Sequence, residues 1–155
     1  MLPMKRLNLI LLCILLGSFA FGQEKEKKRK PSAHTKQKQN KEDEKFLEKL
    51  QVVLDKELSN ADFSADDFAT FMGMSRMQLY RKLKALTGQS ANEFIRTIRL
   101  KRAAQLMEQN QLTIAEITYE VGFNDLQYFR ECFKKYFGVT PSEYAQKFAR
   151  NSIQN

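Results

Sequence analysis

Residues 122–144 read GFNDLQYFRECFKKYFGVTPSEY, and residues 73–94 read GMSRMQLYRKLKALTGQSANEF. Laid over one another they are two copies of one pattern. Gly73 pairs with Gly122 49 positions on, and Gly88 pairs with Gly138 50 positions on, so the second copy carries one extra residue. Between these anchors Leu79 matches Phe129, Leu83 matches Phe133, Lys84 matches Lys134, Ser90 matches Thr140, Glu93 matches Glu143 and Phe94 matches Tyr144. An internal repeat constrains a fold more than any single segment does, because each copy must be one supersecondary unit.

The unit is helical. Helix starts are written repeatedly in the chain: Ser64 with Asp67, Ser75 with Gln78, Ser90 with Glu93, Thr113 with Glu116 and Thr140 with Glu143. Each places a hydroxyl where it accepts from the backbone three residues on, and an acid or amide that reaches back to the cap. Apolar pairs flank several of them as staples, Phe63 with Phe68, Met74 with Leu79, Leu112 with Ile117 and Val139 with Tyr144, and Pro141 takes a first helical position. Glycines 73, 88, 122 and 138 stand where helices should stop. Upstream, Phe46, Leu50, Val53, Leu54 and Leu58 recur at three and four, which predicts a helix ending near Ser59 and Asn60. The reading is an all-α fold.

Each copy therefore reads as helix, Gly-containing turn, second helix, glycine and capped third helix. A short helix joined by such a turn to another is the helix-turn-helix unit, whose second helix enters the DNA major groove. Residues 91–109 form one long helix between the copies, about 28 Å at 1.5 Å per residue. That is commensurate with the roughly 34 Å between successive major-groove faces.

The second helices suit that use. In the first, Leu79, Leu83 and Leu86 share one face, which leaves Arg76, Met77, Tyr80, Arg81 and Lys84 to point elsewhere. Arg81 can fork onto guanine or a phosphate, and Tyr80 or Met77 can touch a thymine methyl. In the second, Phe129, Phe133 and Phe137 are the apolar stripe, and Asn124, Asp125, Gln127, Tyr128, Arg130 and Glu131 remain. Gln127 suits adenine, while Lys134 and Lys135 suit phosphate.

The stretch from Phe63 to Phe148 resembles the DNA-binding domain of the AraC/XylS family of transcription regulators. Its second copy, quoted above, carries the family's signature, and RMQLYRKLKALTGQSANEFIRTIRLKRAAQLM is similar to the matching half, most like the regulators fused at the C-terminus of hybrid two-component sensors. The resemblance implies two helix-turn-helix subdomains joined by a linker helix, binding an asymmetric site on double-stranded DNA, commonly as an activator that touches RNA polymerase. By position it implies base contacts from Met77, Tyr80, Arg81, Gln127, Tyr128 and Glu131; Arg76, Lys84, Asn124, Arg130, Lys134 and Lys135 are the phosphate-contact candidates. Three residues depart from the pattern: Ala91 replaces a usual proline, Ala145 a usual arginine, and Glu131 stands where relatives commonly have arginine or another phosphate or guanine partner. Glu131 either accepts from cytosine N4 or offsets Lys135 one turn on.

Charge and composition set the remaining bounds. Of the net +8, most lies at the front: residues 1–45 hold 11 Lys and Arg against 5 Asp and Glu, and the rest of the chain holds 15 against 13. Residues 23–45 have no large apolar side chain before the helical stripe begins and read as a basic linker, disordered or at most transiently helical near its end, with His34 solvated in it. Cys13 and Cys132 fall in separate segments, so no disulfide within the folded part is expected. One His, one Cys in the folded part and no glycine-rich phosphate loop supply no metal cage, nucleophile pair or cofactor site, and an enzyme is not expected. The linker offers no sensor domain, and no small-molecule effector is identifiable.

Residues 1–22 have the outline of an export signal or a membrane anchor, with Lys5 and Arg6 ahead of the apolar run at 7–21. Length favours a cleaved signal, since the run spans about 22 Å as a helix against a ~30 Å hydrocarbon core. Charge favours an anchor, because the lysines from Lys25 onward would hold the following side in the cytoplasm. The expected organisation is thus 1–22 signal or anchor, 23–45 linker and 46–150 double helix-turn-helix domain. The expected function is a sequence-specific regulator in the cytoplasm, tethered at the inner membrane through residues 7–21 if these are not removed. A secreted or periplasmic helical interaction protein, and a non-regulating remnant of a membrane sensor-regulator, are the alternatives.

Overall fold

The computed structural model describes residues 33–151, with side chains from 41 to 148. Seven helices follow one another within that span: α1 (Ala33–Glu57), α2 (Ala65–Met72), α3 (Arg76–Thr87), α4 (Ala91–Gln109), α5 (Ile114–Glu120), α6 (Leu126–Phe137) and α7 (Pro141–Asn151). No strand occurs among the described residues. The expected all-α architecture, two helix-turn-helix subdomains on one linker helix, is what forms.

The helix starts use the caps written in the sequence. Ser64, Ser75, Ser90 and Thr113 each accept from the backbone three residues on, and the acid or amide at that position reaches back to the cap, closing four capping boxes. Thr140 and Glu143 make the same reciprocal pair ahead of α7. The second recognition helix is different: Asp125 caps α6 by accepting from Tyr128 N–H without a reciprocal partner. Gly73, Gly88 and Gly138 stop α2, α3 and α6 in the left-handed region. α5 stops one residue earlier than its glycine, at Val121, and α4 stops at Asn110, a non-glycine residue with φ +50°. Asn tolerates that conformation better than most side chains.

Two cores form. Phe46, Leu50 and Leu54 of α1 join Phe68 and Met72 of α2, Leu79 and Leu83 of α3, and Phe94, Ile95 and Ile98 of α4. The second core takes Leu100, Ala103, Leu106 and Met107 from α4, with Ile117, Val121, Phe123, Phe129 and Phe133. The linker helix is therefore buried along two different sides, one for each core, which is why its apolar residues do not collect into a single stripe. In the second core an aromatic chain runs through Phe123, Phe129, Phe133, Phe137 and Tyr144, with successive ring centroids 4.5–5.7 Å apart. Leu86 and Phe137, at the ends of the two apolar stripes, are only half-buried. Ala91 is buried at the start of α4, and Ala145 lies against the second core.

α1 begins at Ala33, inside the stretch expected to be linker, and ends at Glu57, slightly before the expected stop. Lys, Gln and Glu are strong helix formers, so the apolar helix that starts at Phe46 continues backward through polar turns. Asp43 in this extension pairs with Lys82 of α3, whose ammonium also lies 5.7 Å from the Phe46 ring centroid.

The two lobes meet at one close junction. Arg99 of α4 donates from Nε to Leu58 O at 3.1 Å and from Nη2 to Asn60 O at 2.6 Å, tying down the end of α1. A guanidinium at the last carbonyls of a helix also complements its dipole. Gly122, in the turn between α5 and α6, packs on the same spot with φ +85°; a Cβ there would lie 2.5 Å from Leu58 O and 2.9 Å from Arg99 Nε.

The apolar run at 7–21, the linker at 23–32 and Cys13 lie outside the described residues. Among the described residues no helix is long and apolar enough to cross a membrane.

Candidate nucleic-acid interface

Burial of one face decides what the other presents. In α3, Leu79 and Leu83 have no exposed surface, and rotation by 100° per residue turns Arg76, Met77, Tyr80, Arg81 and Lys84 outward. Met77 is 56% exposed and Tyr80 44%, large for apolar and aromatic side chains in a small domain. In α6, Phe129 and Phe133 are fully buried, and Gln127, Tyr128, Arg130, Glu131, Lys134 and Lys135 are exposed, with Asn124 in the turn before. Every side chain singled out from the sequence is thus on the surface, and each group belongs to the second helix of its unit or the turn leading into it.

Several of them are already engaged. Arg76 Nη1 lies 3.2 Å from Asp66 of α2, an ion pair with both members well exposed. Lys84 donates to Gly88 O at 2.7 Å, capping the end of its own helix. Glu131 accepts from Gln127 Nε2 at 2.9 Å, so its carboxylate is held one turn back rather than at Lys135. The i, i+4 spacing puts the two side chains side by side on the helix surface, and the amide can donate where a carboxylate can only accept.

Between the two recognition helices lies a cleft of about 590 Å³. Lys84 and Gly88 form one wall, Tyr128, Glu131, Cys132 and Lys135 the other, and Arg96, Thr97 and Leu100 of α4 the floor. Arg96 donates to the Tyr128 hydroxyl at 3.4 Å, and Gln89 donates to Thr97 at 3.1 Å. Glu93 is held below its ordinary value by the backbone and side-chain hydrogen bonds of Ser90, with Lys84 and Arg96 adding to the effect. Arg96 escaped the sequence reading because α4 carries Arg96, Arg99, Lys101 and Arg102 within seven residues, and only the fold separates the one in the cleft from the one at the lobe junction.

Among the described residues no group of three or more His, Cys, Asp or Glu side chains could hold a metal ion. Cys132 is a free, half-buried thiol.

Known proteins share this arrangement. A helix-turn-helix domain family model matches residues 68–147. The chain is 43% identical over 107 residues to histidine kinase P4 of Formosa agariphila, a match that covers 69% of this chain and 8% of the kinase. It spans 31% to 36% of the length of other curated regulators it matches. Among solved structures, an AraC-type transcriptional regulator of Chromobacterium violaceum superposes with a TM-score of 0.62 at 29% identity, over 71% of this chain and 97% of that one. The DNA-binding domain of the global transcriptional factor AdpA, solved in complex with a target DNA, shares the fold with a TM-score of 0.62 at 23% identity, over 68% of this chain and 95% of its own. With its double helix-turn-helix architecture and a family match over half its length, the chain belongs to the AraC-type helix-turn-helix family of DNA-binding transcription regulators.

Proposed function

We propose that α3 and α6 enter two adjacent major grooves of one DNA duplex and read an asymmetric site from one side, and that the chain regulates transcription from that site. One observation carries the reading: two helix-turn-helix units share a single linker helix, and each turns the polar face of its second helix outward. The fold shared with AdpA, a domain solved on its target DNA, supports it. Base contacts fall to Met77, Tyr80 and Arg81 in the first groove and to Gln127, Tyr128 and Glu131 in the second. Backbone contacts fall to Arg76, Lys84, Asn124, Arg130, Lys134 and Lys135. The Gln127–Glu131 hydrogen bond uses one N–H of the amide and leaves the other N–H and the oxygen, a donor and an acceptor of the kind that adenine requires. Arg76 would exchange Asp66 for a phosphate on binding.

Under this reading the folded part works in the cytoplasm, where DNA is found. The charge asymmetry around residues 7–21 supports an inner-membrane tether, RNA polymerase is the protein partner, and no enzymatic step is assigned. The test is binding of the full chain to a duplex enriched from a random pool, followed by fluorescence anisotropy. Arg81→Ala should cost about 1–3 kcal/mol and relax specificity at one position, whereas Lys134→Ala should weaken all sequences alike and reduce the salt slope by about 1. Affinity and salt slope unchanged in both variants would overturn the reading.

A further inference from the structure

Two helices lying in successive major grooves on one face of a duplex leave one minor groove between them, and the sugar-phosphate strands that border it must pass in front of whatever joins the helices. In this chain the joining surface is a cleft. Its walls carry side chains already proposed to face DNA, Lys84 on α3 and Tyr128, Glu131 and Lys135 on α6.

The chemistry of the cleft fits a phosphate. Arg96 rises from the floor, with Lys84 on one wall and Lys135 on the other, three cations against two carboxylates, Glu93 and Glu131. Glu93 Oε2 accepts from Ser90 N–H at 2.8 Å and from its hydroxyl at 2.7 Å while its charge still acts on Lys84 and Arg96, Glu131 accepts from Gln127, and Lys84 donates to Gly88 O, so the cations outnumber the carboxylates by one. Arg96 is only half-exposed and donates to the Tyr128 hydroxyl, which leaves other guanidinium N–H groups for a second acceptor. A planar fork with several donors, partly pre-positioned by a neighbour, is the side chain best matched to a phosphodiester.

We infer that this cleft is a phosphate seat, in which Arg96 clamps a phosphate on one of the two backbone strands that border the minor groove between the two major grooves, with Lys84 and Lys135 flanking it. The inference rests on the DNA reading above and adds to it a contact from the linker helix. Arg96 fixes the register of one reading helix against the other, because the clamped phosphate lies between the two grooves they enter. Tyr128 is then a positioning residue for Arg96 as well as a base-facing one.

The test uses the full chain and a mixed-sequence duplex of roughly 25 base pairs, about two and a half helical turns, with affinity measured across a salt series. Arg96→Ala should lower affinity about tenfold at moderate salt and flatten the plot of log K against log salt by about 0.9, the signature of one phosphate no longer neutralised. Arg96→Lys should keep the slope, since it keeps the charge. A variant that had lost only folded structure would lower the active fraction and leave the slope alone. Should Arg96→Ala not fold, wild-type protein answers the question by itself on a selected duplex whose central minor-groove phosphates are replaced by neutral methylphosphonates: binding should weaken there and not when outer phosphates beyond the footprint are replaced. An unchanged slope in folded Arg96→Ala, or wild-type indifference to the central methylphosphonates, would overturn the seat while Arg81-dependent binding still stood. Failure of the wild-type chain to bind any duplex in a salt-dependent way would overturn the reading beneath it.

Discussion

Replacing Gly122 by alanine removes no contact and adds one carbon, so it isolates how tightly the two lobes are joined. The residue sits at φ +85°, where an L side chain costs about 1–2 kcal/mol. The new Cβ would also lie 2.5 Å from Leu58 O and 2.9 Å from Arg99 Nε. The carbonyl belongs to the end of α1 and the guanidinium is held by it, so neither can give way without loosening the Arg99 bonds to Leu58 and Asn60; overpacking of this kind costs about 1–3 kcal/mol more. The loss should total about 2–5 kcal/mol. Gly88→Ala and Gly138→Ala are matched controls, since both glycines have similar positive φ and open space where a Cβ would go; they should show only the conformational part. Urea unfolding followed by circular dichroism would compare the three, with midpoints shifting at constant m. Equal losses in all three variants would refute the argument, because they would mean that the junction yields at no cost.

Further outcomes follow from the second core and the caps. Phe133 is fully buried among Phe129, Phe137 and Tyr144, so Phe133→Ala should cost about 3–5 kcal/mol in the same assay; a loss under about 1 kcal/mol would mean that the aromatic chain repacks freely. The cap carboxylates are held below their ordinary values, Asp67 first by the Ser64 side chain, and Glu93, Glu116 and Glu143 first by the backbone N–H groups of Ser90, Thr113 and Thr140. A depressed folded value means stability that is complete above the ordinary 3.8–4.5 and is lost as pH falls through the folded values. Urea midpoints should drop through that window, and a Glu93→Gln, Glu116→Gln, Glu143→Gln variant, which keeps the cap geometry without the charge, should drop less; parallel curves would contradict this. Tyr144 is pushed up to about 12 by burial, then by its hydrogen bond to Glu108 and that carboxylate's charge. Its contribution is complete below about 10 and lost as pH rises toward 12, so Tyr144→Phe should remove a phenol that titrates at about 12 from an ultraviolet titration, and an unchanged titration would count against the assignment.

Most of the fold was legible because it is written locally. Hydroxyl and acid or amide three residues apart mark helix starts wherever they recur, and five such starts lie in the right order at Ser64, Ser75, Ser90, Thr113 and Thr140. The exposed faces of α3 and α6 followed from the spacing of Leu79 with Leu83 and of Phe129 with Phe133. Harder to read were features decided by residues far apart in sequence. Arg99 reaches Leu58 across 41 positions, and no periodicity distinguishes it from Arg96 three residues earlier. Asn110 ends α4 without a glycine, and the polar turns of α1 ahead of Phe46 carry no apolar stripe to reveal them. The pairing of Glu131 with Gln127 was within reach of the i, i+4 rule, which allowed Lys135 equally.

The sharing of α4 by both cores bears on stoichiometry. Two DNA readers on separate subunits must meet by diffusion, and their joint occupancy rises with the square of protein concentration. Under the proposed DNA reading, the second reader would be carried in by the first at an effective concentration of millimolar order, set by covalent geometry. Occupancy of the paired site would then be first order in a single copy of the chain, sensitive to gene dosage in simple proportion. The same stiffness makes the arrangement intolerant of spacing: inserting about half a helical turn, roughly five base pairs, between the two half-sites would put the second groove on the far side of the duplex. The avidity would vanish rather than decline, because a rigid connector cannot follow.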